Sequence, residues 1–309
     1  MARVIIFGSM NMDLSIECDR MPQAGETLSG HDFITNPGGK GANQAVAASR
    51  LGASVGMIAA VGADGFGNEL VATLEAVGVD CTKVTRSSET STGVAIIVRS
   101  AGDNRIVLSA GANHLLSSED VMRALHAIAE PGDVFLTQGE CDAEATLAGL
   151  HEAHSMGLYT ILNPAPARPM PDEAWADVDL VCLNETECEL MCGICPTDEE
   201  GCLKAASRLQ ELGVRSVVIT LGSEGSIGFE AAGDKPVRAI ARKVEVVDTT
   251  AAGDTYIGAL AAGHAAGMSL VESMAWGSAA SALTVGKLGA QQAIPTAAEV
   301  EATGWKCCS

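Results

Sequence analysis

The sequence predicts an α/β protein: a three-layer core whose mostly parallel sheet is covered by helices on both faces, with a small β-sheet lid. Three observations predict it. Short runs that are apolar almost throughout alternate with longer amphipathic runs, the pattern of strands buried on both faces by crossover helices. Two segments, 13–36 and 91–110, break that alternation and read as strand–turn–strand. Polar residues follow one apolar run after another, where open parallel sheets bind ligands. No Pro/Gly/Ser linker divides the 309 residues, so the expectation is one catalytic domain over 1–309 with a lid from about 13–36 and 91–110.

The core strands are expected at 3–8 (RVIIFG), 54–62 (SVGMIAAVG), 133–138 (DVFLTQ), 158–163 (LYTILN), 179–184 (DLVCLN) and 216–222 (SVVITLG), with VEVV at 244–247 as a further one. Helices are expected at 41–51, 67–77, 118–129, 142–156, 199–212 and 253–266. In the second lid segment the polar turn SAGDN separates two β-branched runs, as a hairpin requires. Gly8, Ser9, Asn11 and Asp13 follow the first strand, and Glu140 follows DVFLTQ. Asn163, then Asn184 with Glu187, then Gly222 with Ser223, and finally Asp248 to Asp254 follow the later ones. Any one of these is an ordinary turn or cap residue. Together they point to one shared site.

Composition narrows the function. The formal charge of −20 repels nucleic acid and anionic membrane surfaces, and 3% aromatics supply few stacking platforms for bases. VIIF near the start is too short for a signal peptide, and the apolar tract 256–285 is broken by His264, Glu272 and serines. Gly263 and Gly267 in that tract suit close helix packing. A cytoplasmic protein is expected, with neither nucleic-acid nor membrane partners. Cys188, Cys192 and Cys195 have the spacing of an iron–sulfur ligand set but lie in a helix-like run, where reduced cysteines serve as small apolar residues. Cys307 and Cys308 read as exposed tail thiols, and His151 with His154 as a surface helix pair without a third metal ligand.

Two constellations carry chemistry. Ala251, Ala252 and Gly253 lead into a helix, and small residues let its free N–H groups approach an anion. Asp254 in that first turn is either a cap or a base that takes the proton of an attacking hydroxyl in phosphoryl transfer. The second constellation is PGGKGANQAVAASRLGA at 37–53, where glycines, Lys40 and Asn43 group donors and acceptors for a polyhydroxylated ligand. Neither a Walker A loop nor a dinucleotide G-x-G-x-x-G follows the first strand.

GGKGANQA and DTTAAGDTYIGALA resemble the paired signatures of the ribokinase-like (PfkB) carbohydrate kinase family, and GSMNMD, STGVA, SAGAN, NPAPAR, NETE, TLGSEG and KLGAQ extend the likeness through the chain. The fit is nearest the ribose-phosphorylating members. The resemblance implies ATP-dependent transfer to the O5 hydroxyl of D-ribose, with Asp254 as base and the backbone of Ala251, Ala252 and Gly253 as anion hole. It implies sugar contacts from Asn11, Asp13, Gly39, Lys40, Asn43 and Glu140. Asn184 and Glu187 would position phosphates and Mg²⁺, Glu187 indirectly. Thr220, Gly222, Gly225 and Ser278 would meet the nucleotide, and Asp248 with the Thr250 carbonyl would hold a monovalent cation, K⁺ in the family. A homodimer through the lid is implied too. Three departures stand out: Leu183 for a frequent proline, Ser278 for a bulkier polar residue, and Ile257 for an asparagine, the last implying a shifted substrate preference. Another free sugar or a nucleoside as acceptor, deoxyribose first, and an inactive sugar or nucleotide sensor are the alternatives. Few cations in the lid, chiefly Arg20, Arg99 and Arg105, argue against a sugar phosphate.

Overall fold

The computed structural model describes residues 2–100, 103–231, 233 and 235–305. In chain order these form β1 (Arg3–Phe7), β2 (Asn11–Glu17), β3 (His31–Gly38), α1 (Lys40–Arg50), β4 (Ser54–Gly62), α2 (Gly65–Ala76), β5 (Asp80–Ser87), β6 (Gly93–Ser100) and β7 (Asp103–Ser109). There follow α3 (Ser118–Ile128), β8 (Val134–Thr137), α4 (Ala143–Ser155), β9 (Tyr159–Leu162), β10 (Leu180–Asn184), α5 (Glu185–Cys192), α6 (Glu199–Glu211) and β11 (Ser216–Thr220). The chain ends with β12 (Ser226–Phe229), β13 (Val237–Ala239), α7 (Ala252–Ala265), α8 (Leu270–Val285) and α9 (Ala297–Ala302).

Among the described residues the larger sheet has nine strands in the order β13-β12-β11-β10-β9-β8-β1-β4-β5, parallel except for β12 and β13. The alternation within β1 explains its burial on both faces. Val4 and Ile6 enter one apolar core with residues of α1, α2, α7 and α8, while Ile5 and Phe7 enter the other with residues of α3 to α6. Each such side chain removed from water stabilises the fold by about 1.5–3 kcal/mol. The three-layer arrangement follows from that two-sided burial.

The second sheet has the order β3-β2-β6-β7. Strand β2 pairs in parallel with β6, and β3 and β7 flank them antiparallel. Because β2 leaves directly after β1, the small sheet sits over the carboxyl ends of the core strands. The turn residues Ala101 and Gly102 lie outside the described residues, as do Cys307 and Cys308.

Two expectations are corrected. VEVV forms no strand: Val244, Val246 and Val247 are exposed, and the amides of Val247 and Asp248 donate to the Val285 carbonyl at the end of α8. The hairpin β12–β13 takes the sheet edge instead. Strands β5, β12 and β13 were not expected, because β5 is an edge strand of mixed polarity and the other two are short. The apolar tract 256–285 divides into α7 and α8, joined by the Thr284–Thr255 hydroxyl contact of 3.1 Å and the bond from Ser281 Oγ to the Ala252 carbonyl. Among the described residues no helix is long and apolar enough to cross a membrane. Cys188 packs in the core, Cys192 is half-buried with its thiol on the Cys188 carbonyl, and Cys195 is exposed. His151 is exposed on α4 and pairs with Asp177.

Candidate active site

Two cavities meet at the start of α7. The larger, about 830 Å³, lies between the inner face of the lid and the core and is lined by Asn11, Asp13, Gly39, Lys40, Asn43, Glu140 and Asp254, the complete set expected to meet a sugar. The smaller, about 240 Å³, is lined by Asn184, Glu187, Thr220 and Gly253 among others. Lys40, Ala251 and Asp254 border both. A group bound in one cavity therefore meets a group bound in the other at these three residues.

The loop before α7 is shaped by its own polar atoms. Asp248 accepts from the Thr250 amide and hydroxyl on one oxygen and from the Gly289 amide on the other, bonds that hold its pKa below the ordinary range against the cost of burial. Ala251 then takes a left-handed conformation (φ 60°), which a side chain disfavours. No side chain caps α7, and the Ala252 amide turns back to the Thr249 carbonyl at 3.2 Å. Of the three expected anion-hole amides, that of Ala252 is thus engaged within the loop. Gly253 is exposed at the helix start, where N–H groups lack intrahelical partners.

Asp254 is buried and doubly held. Asn43 Nδ2 donates to Oδ2 at 2.9 Å and Gln44 Nε2 to Oδ1 at 3.0 Å, both from α1. Gln44 also donates to Asn163 Oδ1 (3.2 Å), whose amide donates to the Cys182 carbonyl (3.1 Å). Gln291 Nε2 donates to Asn43 Oδ1 at 3.2 Å. Gln44 and Gln291 were not singled out from the sequence. Both stand inside runs that carry the family likeness, Gln44 in GGKGANQA and Gln291 at the end of KLGAQ, but neither run showed what its glutamine would touch.

The polar wall of the larger cavity is built on β2, α1 and the loop after β8. Gly39 (φ 89°) carries the chain from β3 into α1 so close to β1–β2 that a Cβ would lie 2.7 Å from the Asn11 amide nitrogen. Glu140 Oε2 accepts from the Ser9 hydroxyl, the Lys40 amide (3.2 Å) and Asn11 Nδ2 (3.5 Å). Asn113, which carried no expectation, donates to Asn11 Oδ1 at 2.7 Å and so orients that amide. Burial, with Glu140 and Asp254 nearby, pushes the Asp13 carboxyl up to about 7. Burial would lower the Lys40 ammonium, but Asp254, Glu140 and Glu187 more than offset it and its pKa is raised.

On the other side, Asn184 and Glu187 form a capping box for α5: the Asn184 amide donates to Glu187 Oε2 and the Glu187 amide to Asn184 Oδ1, both at 2.9 Å. Burial raises the Glu187 pKa despite the Asn184 bond and Lys40. Gly222 and Gly225 lie in the β11–β12 turn, and Ser278 is half-buried on α8; none of the three lines either cavity. Ile257, expected to bear on the acceptor, lines the smaller cavity and not the larger, because it stands one helical turn after Gly253. Leu183 lines the smaller cavity as well.

The family described as pfkB family carbohydrate kinase matches residues 1–297. A ribokinase of Haemophilus influenzae is 38% identical over 295 residues, covering 95% of this chain and 95% of that protein. A deoxyribokinase of Salmonella typhi is 36% identical over 261 residues, 84% of each chain. The structure of Arabidopsis thaliana ribokinase complexed with ribose and ATP superposes with a TM-score of 0.89 at 30% identity, covering 98% of both chains.

Proposed function

Since the chain belongs to the pfkB family of carbohydrate kinases, we propose that it phosphorylates D-ribose at O5 with ATP, giving D-ribose 5-phosphate and ADP. The observation that carries this reading is Asp254 at the junction of the two cavities, with both carboxylate oxygens held by amides from α1. In the reaction the sugar O5 forms a bond to the γ-phosphorus while the bond from that phosphorus to the β–γ bridging oxygen breaks. The hydroxyl proton passes to Asp254. Asn11, Asp13, Gly39, Lys40, Asn43 and Glu140 orient the sugar, and the amides at the start of α7 receive charge developing on the phosphoryl group.

The site suits a nucleotide accompanied by cations. Glu140, Glu187 and Asp254 surround the Lys40 ammonium, and Arg99 is the other cation among the lining residues while Glu17 and Asp248 add further carboxylates, so a bare triphosphate would meet net repulsion. Asn184 and Glu187 would hold Mg²⁺ through water, since Glu187 Oε2 is already engaged with the Asn184 amide. Mg²⁺ neutralises phosphate charge when bound. Asp248 and the Thr250 carbonyl would hold a monovalent cation such as K⁺ beside the anion-hole loop. Thr220, Gly222, Gly225 and Ser278 are assigned to the nucleotide by the family pattern, and the lid to a homodimer contact. The eight cysteines among the described residues are all free thiols, which suits a cytoplasmic setting.

Deoxyribose is the second reading, favoured by the likeness to the Salmonella typhi deoxyribokinase. ADP release with Mg-ATP and K⁺ on D-ribose, 2-deoxyribose, fructose 6-phosphate and a nucleoside tests both, with Asp254→Asn as control. Turnover highest on ribose supports the first reading and highest on deoxyribose the second. Binding without turnover on any acceptor makes the protein a sensor.

A further inference from the structure

Gln291 and Gln292 occupy a single turn of 3₁₀ helix (Gln291–Ala293) on the rim of the larger cavity, and their side chains go opposite ways. Gln292 is exposed, and its Nε2 donates to Asn36 Oδ1 at 2.8 Å. Asn36 belongs to lid strand β3 and is the register partner of Asp13. Gln291 is buried, and its Nε2 donates to Asn43 Oδ1. The turn between them is clamped to the end of α1, because Arg50 Nη1 donates to the carbonyls of Gln291 (2.8 Å) and Ile294 (2.6 Å).

The donor inventory gives Gln291 a task beyond packing. An ionised carboxylate only accepts, so the Asn43 amide must turn its NH₂ towards Asp254 and its oxygen away. Gln291 supplies the donor for that oxygen. Without it the buried oxygen is unsatisfied, and a half-turn of the amide would set oxygen against carboxylate. We infer that the Gln291–Gln292 turn ties the lid to the catalytic base: Gln292 holds β3 through Asn36, while Gln291 fixes the Asn43 amide that orients Asp254. Both are positioning residues, and the inference rests on the kinase reading above.

The test uses the full chain as wild type, Gln291→Met, Gln292→Ala and the double variant, with whichever acceptor the wild type prefers. Gln291→Met retains side-chain volume and should lower kcat about tenfold with the sugar KM changed less than about twofold. Gln292→Ala breaks an exposed bond and should lower kcat/KM about two- to fivefold, mainly through KM. The double variant should lose less than the product of the single losses. Hydrogen exchange supplies a readout independent of turnover. Gln291→Met should speed exchange across His31–Gly38, although its amide bonds α1 and not the lid. Unchanged kcat in Gln291→Met, multiplicative losses, or unaltered exchange in β3 would each overturn the coupling. If Gln291→Met does not fold, the surface variant Gln292→Ala decides, since a lid tie requires faster β3 exchange and a raised KM there. A wild type inactive on every acceptor ends the kinase reading, and the β3 exchange then decides the tie by itself.

Discussion

At Asp254, one side-chain amide donates to each carboxylate oxygen, so the orientation of the group is set before a sugar arrives. Asp254→Asn keeps the shape but cannot accept the proton, and its NH₂ would face one of the two donors that Asp254 accepts from. Turnover should fall about 10²–10⁴-fold with sugar affinity largely kept, read by steady-state kinetics and calorimetry. Asp13 behaves differently. Its folded pKa is raised from 3.8 to about 7, by burial first and by Glu140 and Asp254 next. A carboxyl raised in this way contributes stability in full below about pH 4 and loses it as pH rises through about 7. Asn at this position stays neutral, so Asp13→Asn should stabilise the free protein above about pH 7 by on the order of 1–4 kcal/mol, and little near pH 4. Thermal melts across that range check the sign, and the same variant should lose sugar binding.

Helices α1 and α7 carry Asn43 with Gln44 and Asp254, so the proposed reaction makes their spacing a catalytic quantity. Gly258 sets it. A Cβ there would lie 2.5 Å from the Ala47 Cβ and 2.8 Å from the Gln44 carbonyl, so the helices approach more closely than a side chain allows. Gly258→Ala should force them apart, cost about 1–3 kcal/mol in a denaturant melt and lower kcat about tenfold or more. Normal activity with normal stability would show that the α1–α7 spacing has slack. The capping box at α5 shows the same economy at element level, since Asn184 and Glu187 begin a helix and line the smaller cavity with the same side chains.

Across the whole molecule the lid has two unlike faces. Ile97 and Ile106 line the cavity, while their neighbours Ile96 and Val107, paired across β6 and β7, are exposed on the other side with Phe33 exposed on β3. An apolar face of this kind marks an association surface. The proposed dimer predicts that the wild type sediments as a dimer and that Val107→Glu sediments as a monomer with little change in melting temperature. A monomeric wild type would remove the lid contact from the proposal.

Much of this was legible in the sequence because burial on both faces leaves a local trace. VIIF reads as a central strand, since no amphipathic element is apolar at every position, and GGKGANQA and DTTAAGD carry their glycines and polar groups wherever the chain goes. VEVV carried a misleading trace: its β-branched residues suit a strand, but the backbone bonds of Val247 and Asp248 go to α8. Ile257 could be read as a departure but not assigned a cavity, because that depends on which side of α7 faces Asn184. Only the tertiary structure brought Gln291 within 3.2 Å of Asn43 across 248 residues of chain, and set Asn36 against Gln292. Hydrogen bonds between distant side chains leave no periodicity to read. The sequence by itself determined the layers, the lid and the signature residues; the packing of α1 on α7 and of the lid on the 291–293 turn decided how the Asp254 carboxylate is held.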